Sequence, residues 1–310
     1  MKSPFLYSDS NKRYYTYDYF LRQKFGRKVF KVTLDGGFTC PNIDGSKGIG
    51  GCTYCSSRGS GDFAAPASLS IEEQYDAVRK VMDRKWEGGL CIPYFQAHTN
   101  TYAPTCVLRE KFERALLLPN SVGLDIATRA DCISDETEKY LRELHERTFL
   151  TVELGLQTVH EITAKRINRC HSYDEFLSGY EKLRGLNVCI HIINGLPGET
   201  HEMMLDTARE IARLHPFMVK IHLLHIISGT QMEKEYNSGE FSLPTLEEYK
   251  NTVCDQLEIL PPDVVIARVT GDGAPETLVA PLWSRKKFVV MNEIDKELLR
   301  RNSMQGAKFC

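Results

Sequence analysis

Three cysteines fall within one glycine-rich stretch: Cys40, Cys52 and Cys55, in the run CPNIDGSKGIGGCTYC. Cys52 and Cys55 form a C-x2-C pair, and Cys40 precedes them across an eleven-residue loop. No second C-x2-C pair or Cys/His pair elsewhere completes a four-ligand zinc site. Three thiolates are what a [4Fe–4S] cluster needs if one iron is to stay free for a ligand or substrate. The spacing also admits a zinc site that borrows a distant histidine such as His98, or a reduced structural loop. Tyr54 sets an aromatic ring between the paired cysteines. Gly45, Gly48, Gly50 and Gly51 let backbone N–H groups come close to thiolate charge.

Such residues need a scaffold, and the chain alternates strand and helix patterns. KVFKVTL (28–34), apolar and β-branched, reads as a buried strand feeding the cysteine loop. Further strands are expected at 90–96, 121–127, 149–156, 187–193 and 217–226. Ser70 with Glu73, Ser172 with Glu175 and Thr245 with Glu248 spell the S/T-x-x-E signal of a helix start. Ser134 is followed by Asp135 and Glu136, acids suited to a helix N-terminus. Six strands with helical crossovers predict a parallel sheet, open or closed into a barrel. Either form gathers ligands at the carboxyl ends of its strands. Polar clusters stand at those ends: 96–102, 128–131, 153–158, 194–199 and 228–230. With the cysteine loop they would line one mouth.

A chain of 310 residues buries roughly 75% of its unfolded surface. Its 42% hydrophobic and 26% charged content is that of a globular protein, and a net charge of −2 does not by itself point to nucleic acid. Ten cysteines, no signal-like N-terminus and no long apolar run predict a cytoplasmic protein with no membrane partner. The other cysteines (91, 106, 132, 170, 189, 254 and 310) lack ligand spacing, and Cys91 and Cys189 read as small core residues. His191 and His222 alternate with apolar residues and read as satisfied interior histidines, while Glu153 is either a ligand contact or a buried paired carboxylate. From Lys12 to Lys31 seven Lys/Arg face one Asp, interleaved with Tyr14, Tyr15, Tyr17, Tyr19, Phe20 and Phe25. That mixture suits either RNA phosphates and bases or a solvated amphipathic helix. Arg285-Lys286-Lys287 adds a smaller basic patch after Trp283.

The segments GGFTCPNIDG, GGCTYC, YFQAHTNTYA, TRADC, ELGLQT, INRCH, HIINGLPGE, KIHLLHI, RVTGDG and LVAPLW resemble the radical S-adenosylmethionine (SAM) superfamily. Specifically they resemble its YhcC-type family, related to the catalytic subunit of Elongator. The likeness runs from the first strand nearly to the C-terminus. Ala130 and Cys170 depart from it, standing where a proline and a glycine are expected. The resemblance implies a partial (β/α)6 TIM-like barrel over 28–230, an N-terminal extension over 1–27 and a C-terminal extension over 231–310. Cys40, Cys52 and Cys55 would bind three irons of one [4Fe–4S] cluster, and SAM would chelate the fourth. Reduction would then cleave SAM to methionine and a 5′-deoxyadenosyl radical. Tyr54, Gln96, Thr99, Thr128, Gln157, Arg169 and Gly195 are the implied cofactor contacts. Gln157 and Arg169 keep the twelve-residue separation of a Gln and an Arg that meet SAM in oxygen-independent coproporphyrinogen oxidases. Gly195 would let adenine lie against backbone.

The resemblance further implies a tRNA substrate, modified at wobble uridine, and a reductant such as flavodoxin or ferredoxin. Two other functions stay open: the same radical chemistry on a small metabolite or protein, and a non-catalytic tRNA-binding or zinc-stabilised barrel. The sequence specifies no catalytic residue beyond the cofactor contacts, and no oligomeric state.

Overall fold

Seven strands lie side by side and parallel: β1 (Val29–Leu34), β2 (Leu90–Phe95), β3 (Gly123–Thr128), β4 (Phe149–Gln157), β5 (Asn187–Asn194), β6 (Met218–Leu223) and β8 (Val265–Arg268). The computed structural model describes residues 3–59, 61 and 64–309; Cys310 lies outside them. β7 (Ile226–Ile227) and β9 (Leu278–Ala280) form a separate antiparallel pair. The helices are α1 (Tyr17–Phe25), α2 (Ile71–Asp83), α3 (Thr105–Leu116), α4 (Asp135–Arg147), α5 (Glu161–Arg166), α6 (Tyr173–Lys182), α7 (His201–Leu214), α8 (Gln231–Asn237), α9 (Leu246–Ile259) and α10 (Lys287–Arg300).

The helix starts follow local chemistry. Ser70, Ser172 and Thr245 each cap a helix with a full capping box, and Ser134 accepts from the N–H of Thr137 at the head of α4. Alternation along the strands then sorts side chains to two faces. Val32, Leu34, Phe95, Leu124, Ile126, Val152 and Leu154 turn outward to Leu108, Phe112, Leu141, Leu144 and Phe176 of the helices. Residues of the other parity turn inward, apolar near the N-terminal ends of the strands and largely polar in the middle layer. They show that the sheet curls into a half-barrel: Lys31 on β1 reaches Glu153 on β4, and Lys220 on β6 reaches Tyr94 on β2.

Two sequence expectations change, and one of two open readings is met. The sixth strand stops at Leu223 rather than running to 226: Leu224 N–H makes the last ladder bond, to the Asn194 carbonyl, and β7 then leaves to pair with β9. A seventh strand, β8, joins the sheet beside β6, so the segment after 230 completes the barrel wall as well as packing on it. The basic N-terminal stretch is the amphipathic element. Tyr17 and Leu21 of α1 pack on Val29, Ile92, Cys189, Met218 and Val265, at or near the N-terminal ends of the strands. α1 also touches both edge strands, β1 and β8. It therefore lies across the bottom of the half-barrel, away from the cysteine loop.

Its charges are already engaged. Lys12 pairs with Asp295, Arg22 with Asp9 and Asp18, and Lys28 with Asp18. Arg13 donates to the Ser303 carbonyl and Arg27 to that of Gly88, while Lys24 sits over the Phe149 ring. Most of these partners come from distant parts of the chain, beyond the reach of local sequence reading.

Candidate functional site

The cysteine loop leaves β1 and is stitched to the segment that follows α5. Asn168 donates its side-chain amide to the carbonyls of Ile49 (3.2 Å) and Gly51 (2.7 Å). Thr53 N–H donates to the Ile167 carbonyl, and Met232 N–H donates to the Thr53 carbonyl. Thr99 N–H donates to the Thr39 carbonyl, tying the turn after β2 to the residue before Cys40. Gly50 and Gly51 take φ values of 83° and 77°, which glycine adopts without the Cβ penalty. Cys40, Cys52 and Cys55 are all partly exposed on this loop.

Arg129, at the end of β3, brings positive charge to the same place. Asp131 grips it with two hydrogen bonds, and it donates to the carbonyls of Arg169 and Cys170. Burial pushes the Cys52 thiol up, opposed by the Arg129 charge and by the Asn42 amide. Burial would raise Asp131 too, but Arg129 and Lys47 hold it down at about 2. Burial and Asp131 push the Cys132 thiol up to about 12, so this neighbour stays protonated.

The remaining expected contacts divide. Tyr54 packs among Ile167, Leu196 and Leu224, and burial with Cys52 and Cys55 nearby keeps its hydroxyl protonated. Gln96 and Gln157 are half-buried at the ends of β2 and β4, with Gln157 in the left-handed region (φ 63°) beside a bulge. The other four turn inward. Thr99 is 1% exposed, and Thr128 donates its hydroxyl to Thr101, which donates onward to the Cys132 carbonyl. Arg169 is also 1% exposed; its guanidinium donates to the carbonyls of Leu156 (2.7 Å), Thr158 (2.6 Å) and His171 (3.0 Å). Its Nη2 stands 3.9 Å from Glu161 without a hydrogen bond. Two of its three nitrogens, Nε and Nη1, are thus committed to backbone carbonyls, and Nη2 stays unpartnered among the described residues. At Gly195 (φ 86°) a Cβ would meet Pro244 at 2.9 Å, so that face is covered by the chain itself.

Inside the half-barrel runs a charged layer. Glu153 accepts from Lys31 (2.7 Å), Lys220 (2.5 Å) and His191 (3.0 Å), and Lys31 also pairs with Asp125. Glu153 is thus the paired carboxylate, and His191 is satisfied. His222 departs from expectation: its ring centre lies 5.2 Å from that of His191 with the planes tilted, and its Nε2 is buried without a partner among the described residues. Above this layer Thr33, Ala127, Gly155 and Ile193 keep partial exposure although strands surround them, which marks an open cleft at the C-terminal half of the lumen. The signal for this layer was present as alternating polar residues in three strands: K-x-T in β1, T-x-E in β4 and K-x-H in β6.

The three cysteines do not converge with a histidine on one ion-sized point among the described residues. Glu153, Cys189 and His191 do converge, but two lysine ammoniums already hold Glu153. The sequence profile of the radical SAM superfamily matches residues 48–211, and that of the radical SAM C-terminal domain matches 216–300.

The chain belongs to the radical SAM superfamily.

Within it, the chain is 52% identical over 309 residues to an uncharacterized protein, YtqA, of Bacillus subtilis, covering 99% of this chain and 96% of that one. It is 37% identical to YhcC of Escherichia coli, covering 93% and 92%. A shorter match, 51% of this chain and 30% of the relative, is 31% identical to a tRNA uridine(34) acetyltransferase of Methanocaldococcus infernus. Among solved structures, an archaeal Elp3 from the same organism superposes with a TM-score of 0.67 at 20% identity, over 89% of this chain and 64% of that one, and shows the shared fold. Radical SAM membership brings a [4Fe–4S] cluster and SAM as cofactors. The donor set fits the cluster: three thiols on one loop, no converging histidine, and an amide aimed at one sulfur. Cys40 precedes the profile match, so its place rests on the loop itself. No helix among the described residues is long and apolar enough to cross a membrane.

Proposed function

We propose that this radical SAM enzyme modifies the side chain of a wobble uridine in tRNA. One observation carries the substrate class: the 31% identity to a tRNA uridine(34) acetyltransferase across 163 residues. Cys40, Cys52 and Cys55 hold the cluster, and Tyr54, Gln96 and Gln157 face SAM at the mouth of the lumen. Thr99, Thr128, Arg169 and Gly195 set the backbone of that mouth. Bound there and reduced by an external one-electron donor, the cluster and SAM would supply reductive cleavage of SAM to methionine and a 5′-deoxyadenosyl radical. The chain's own part is to orient, and to keep water and stray hydrogen donors away. The open cleft above the Lys31–Glu153–Lys220 layer receives the reacting group. Neutralised charge on α1 favours a second reading, the same chemistry on a small metabolite or protein.

The test is anaerobic reconstitution with iron and sulfide, reduction with dithionite, and an assay of 5′-deoxyadenosine from SAM, with Cys55→Ala as control. Total tRNA from cells deleted for the gene is then the substrate, and its nucleosides are read by mass spectrometry. A new wobble nucleoside formed only by the wild type supports the tRNA reading. Deoxyadenosine without any change in tRNA moves the search to small molecules, and a zinc-filled protein that leaves SAM intact ends both.

A further inference from the structure

Asn42 is fully buried within the cysteine loop. Its side-chain amide donates to the Asn168 carbonyl and to Cys52 Sγ, the latter at 3.5 Å. Its Oδ1 has no hydrogen-bond partner among the described residues. Exchanging N and O of an asparagine is a matter of assignment, but here chemistry fixes it: the flipped amide would press Oδ1 against the Asn168 carbonyl, acceptor on acceptor. The other side of the amide is shut by Gly48. A Cβ there would strike Asn42 Oδ1 and would stand 2.6 Å from Cys170 Sγ. Asn168 is itself fixed, because its own amide holds Ile49 and Gly51. The Asn42 N–H groups are therefore locked in direction before anything binds.

We propose that Asn42 is a cofactor-binding residue that donates an N–H···S hydrogen bond to the Cys52 thiolate and so raises the reduction potential of the cluster. This rests on the radical SAM reading and names a residue of that site. A reduced cluster carries one more negative charge than an oxidised one. A donor directed at a ligand sulfur stabilises the reduced form more, and hydrogen bonds to the sulfurs are among the factors that set such potentials. Asn168 acts through Asn42 and the loop, as a positioning residue.

The reconstituted protein, labelled with [15N]asparagine, is reduced and examined by pulsed EPR. The wild type is expected to show a 15N coupling to the cluster that disappears in Asn42→Ala. In a redox titration Asn42→Ala shifts to more negative potential. Poised at the wild-type midpoint, its reduced-to-oxidised ratio falls about tenfold, which is about 59 mV for a one-electron couple. Asn168→Gly keeps Asn42 and permits the left-handed backbone of position 168 (φ 53°). It is expected to slow cluster assembly and speed hydrogen exchange over 49–53, with the 15N coupling retained. A wild-type spectrum with no 15N coupling, or an Asn42→Ala midpoint equal to the wild type, overturns the proposal. Should Asn42→Ala hold no cluster, the wild-type spectrum alone decides. A wild type that assembles no cluster overturns the radical SAM reading itself, which separates the two failures.

Discussion

Asn194, the last residue of β5, and Gln256, on α9, exchange two amide hydrogen bonds of 2.8 Å each. Gln256 spends its second N–H on the Met204 carbonyl at the same point. This buried clasp fastens the C-terminal helices to the GLPGE turn, where Gly195 begins. Replacing Gln256 by Leu strands the Asn194 amide in the core. The expected loss is about 1–3 kcal/mol, read from urea unfolding. A double variant, Asn194→Leu with Gln256→Leu, should recover part of it, since removing both partners leaves nothing unpaired.

Arg169 separates two roles by measurement. Its guanidinium donates to three backbone carbonyls, and a lysine cannot reproduce that planar fork. Arg169→Lys should therefore lose about 1.5–3 kcal/mol of stability, on the scale of hydrogen bonds to a charged group. SAM affinity, measured by calorimetry on the folded variant, should change little. A variant of full stability with weakened SAM binding would instead make Arg169 the direct SAM contact that the resemblance implies.

Acid stability should be governed by buried histidines. Burial, reinforced by neighbouring cations, lowers His171, His191 and His225 to about 4 from an ordinary value near 6.5. Between those values the unfolded chain binds more protons than the folded one, so stability rises with pH across this window and falls as pH drops through it. Below about 4 the folded protein takes up these protons too, and Asp131, held at about 2, becomes the next group to weaken it. Denaturant midpoints taken from pH 7 to pH 4 should decline steadily. His225→Gln, which carries no titrating ring, should flatten that slope.

Cys170 occupies a left-handed conformation, φ 55°, at the place where the resemblance expects glycine. Its Sγ lies against Gly48 and contacts Asn168 Oδ1 at 3.1 Å. Cys170→Gly should relieve about 1 kcal/mol of backbone strain and leave cluster content per chain unchanged. Thermal unfolding and iron analysis check the two halves separately. A fall in iron would make Cys170 a working part of the loop.

Much of the scaffold could be read from short-range signals. Ser70, Ser172 and Thr245 announced their helices because a capping box is complete within four residues. The inner strands announced themselves as apolar, β-branched runs. β8 was missed because four residues give little periodicity, and its place beside β6 is set by packing against α1. At the site, the cysteines and the half-exposed glutamines stood out as residue types. The inward turn of Arg169 and the directed amide of Asn42 did not, since each depends on carbonyls brought near by the fold. The basic run of the N-terminus stayed open between two readings for a related reason: Asp295 and Ser303, which help to quiet it, lie near the other end of the chain.

The position of α1 bears on what the lumen can admit. With the lower end of the half-barrel stoppered by α1, nothing threads the lumen from end to end. A cul-de-sac of this kind admits a chain end or a protruding side group and excludes a strand passing straight through.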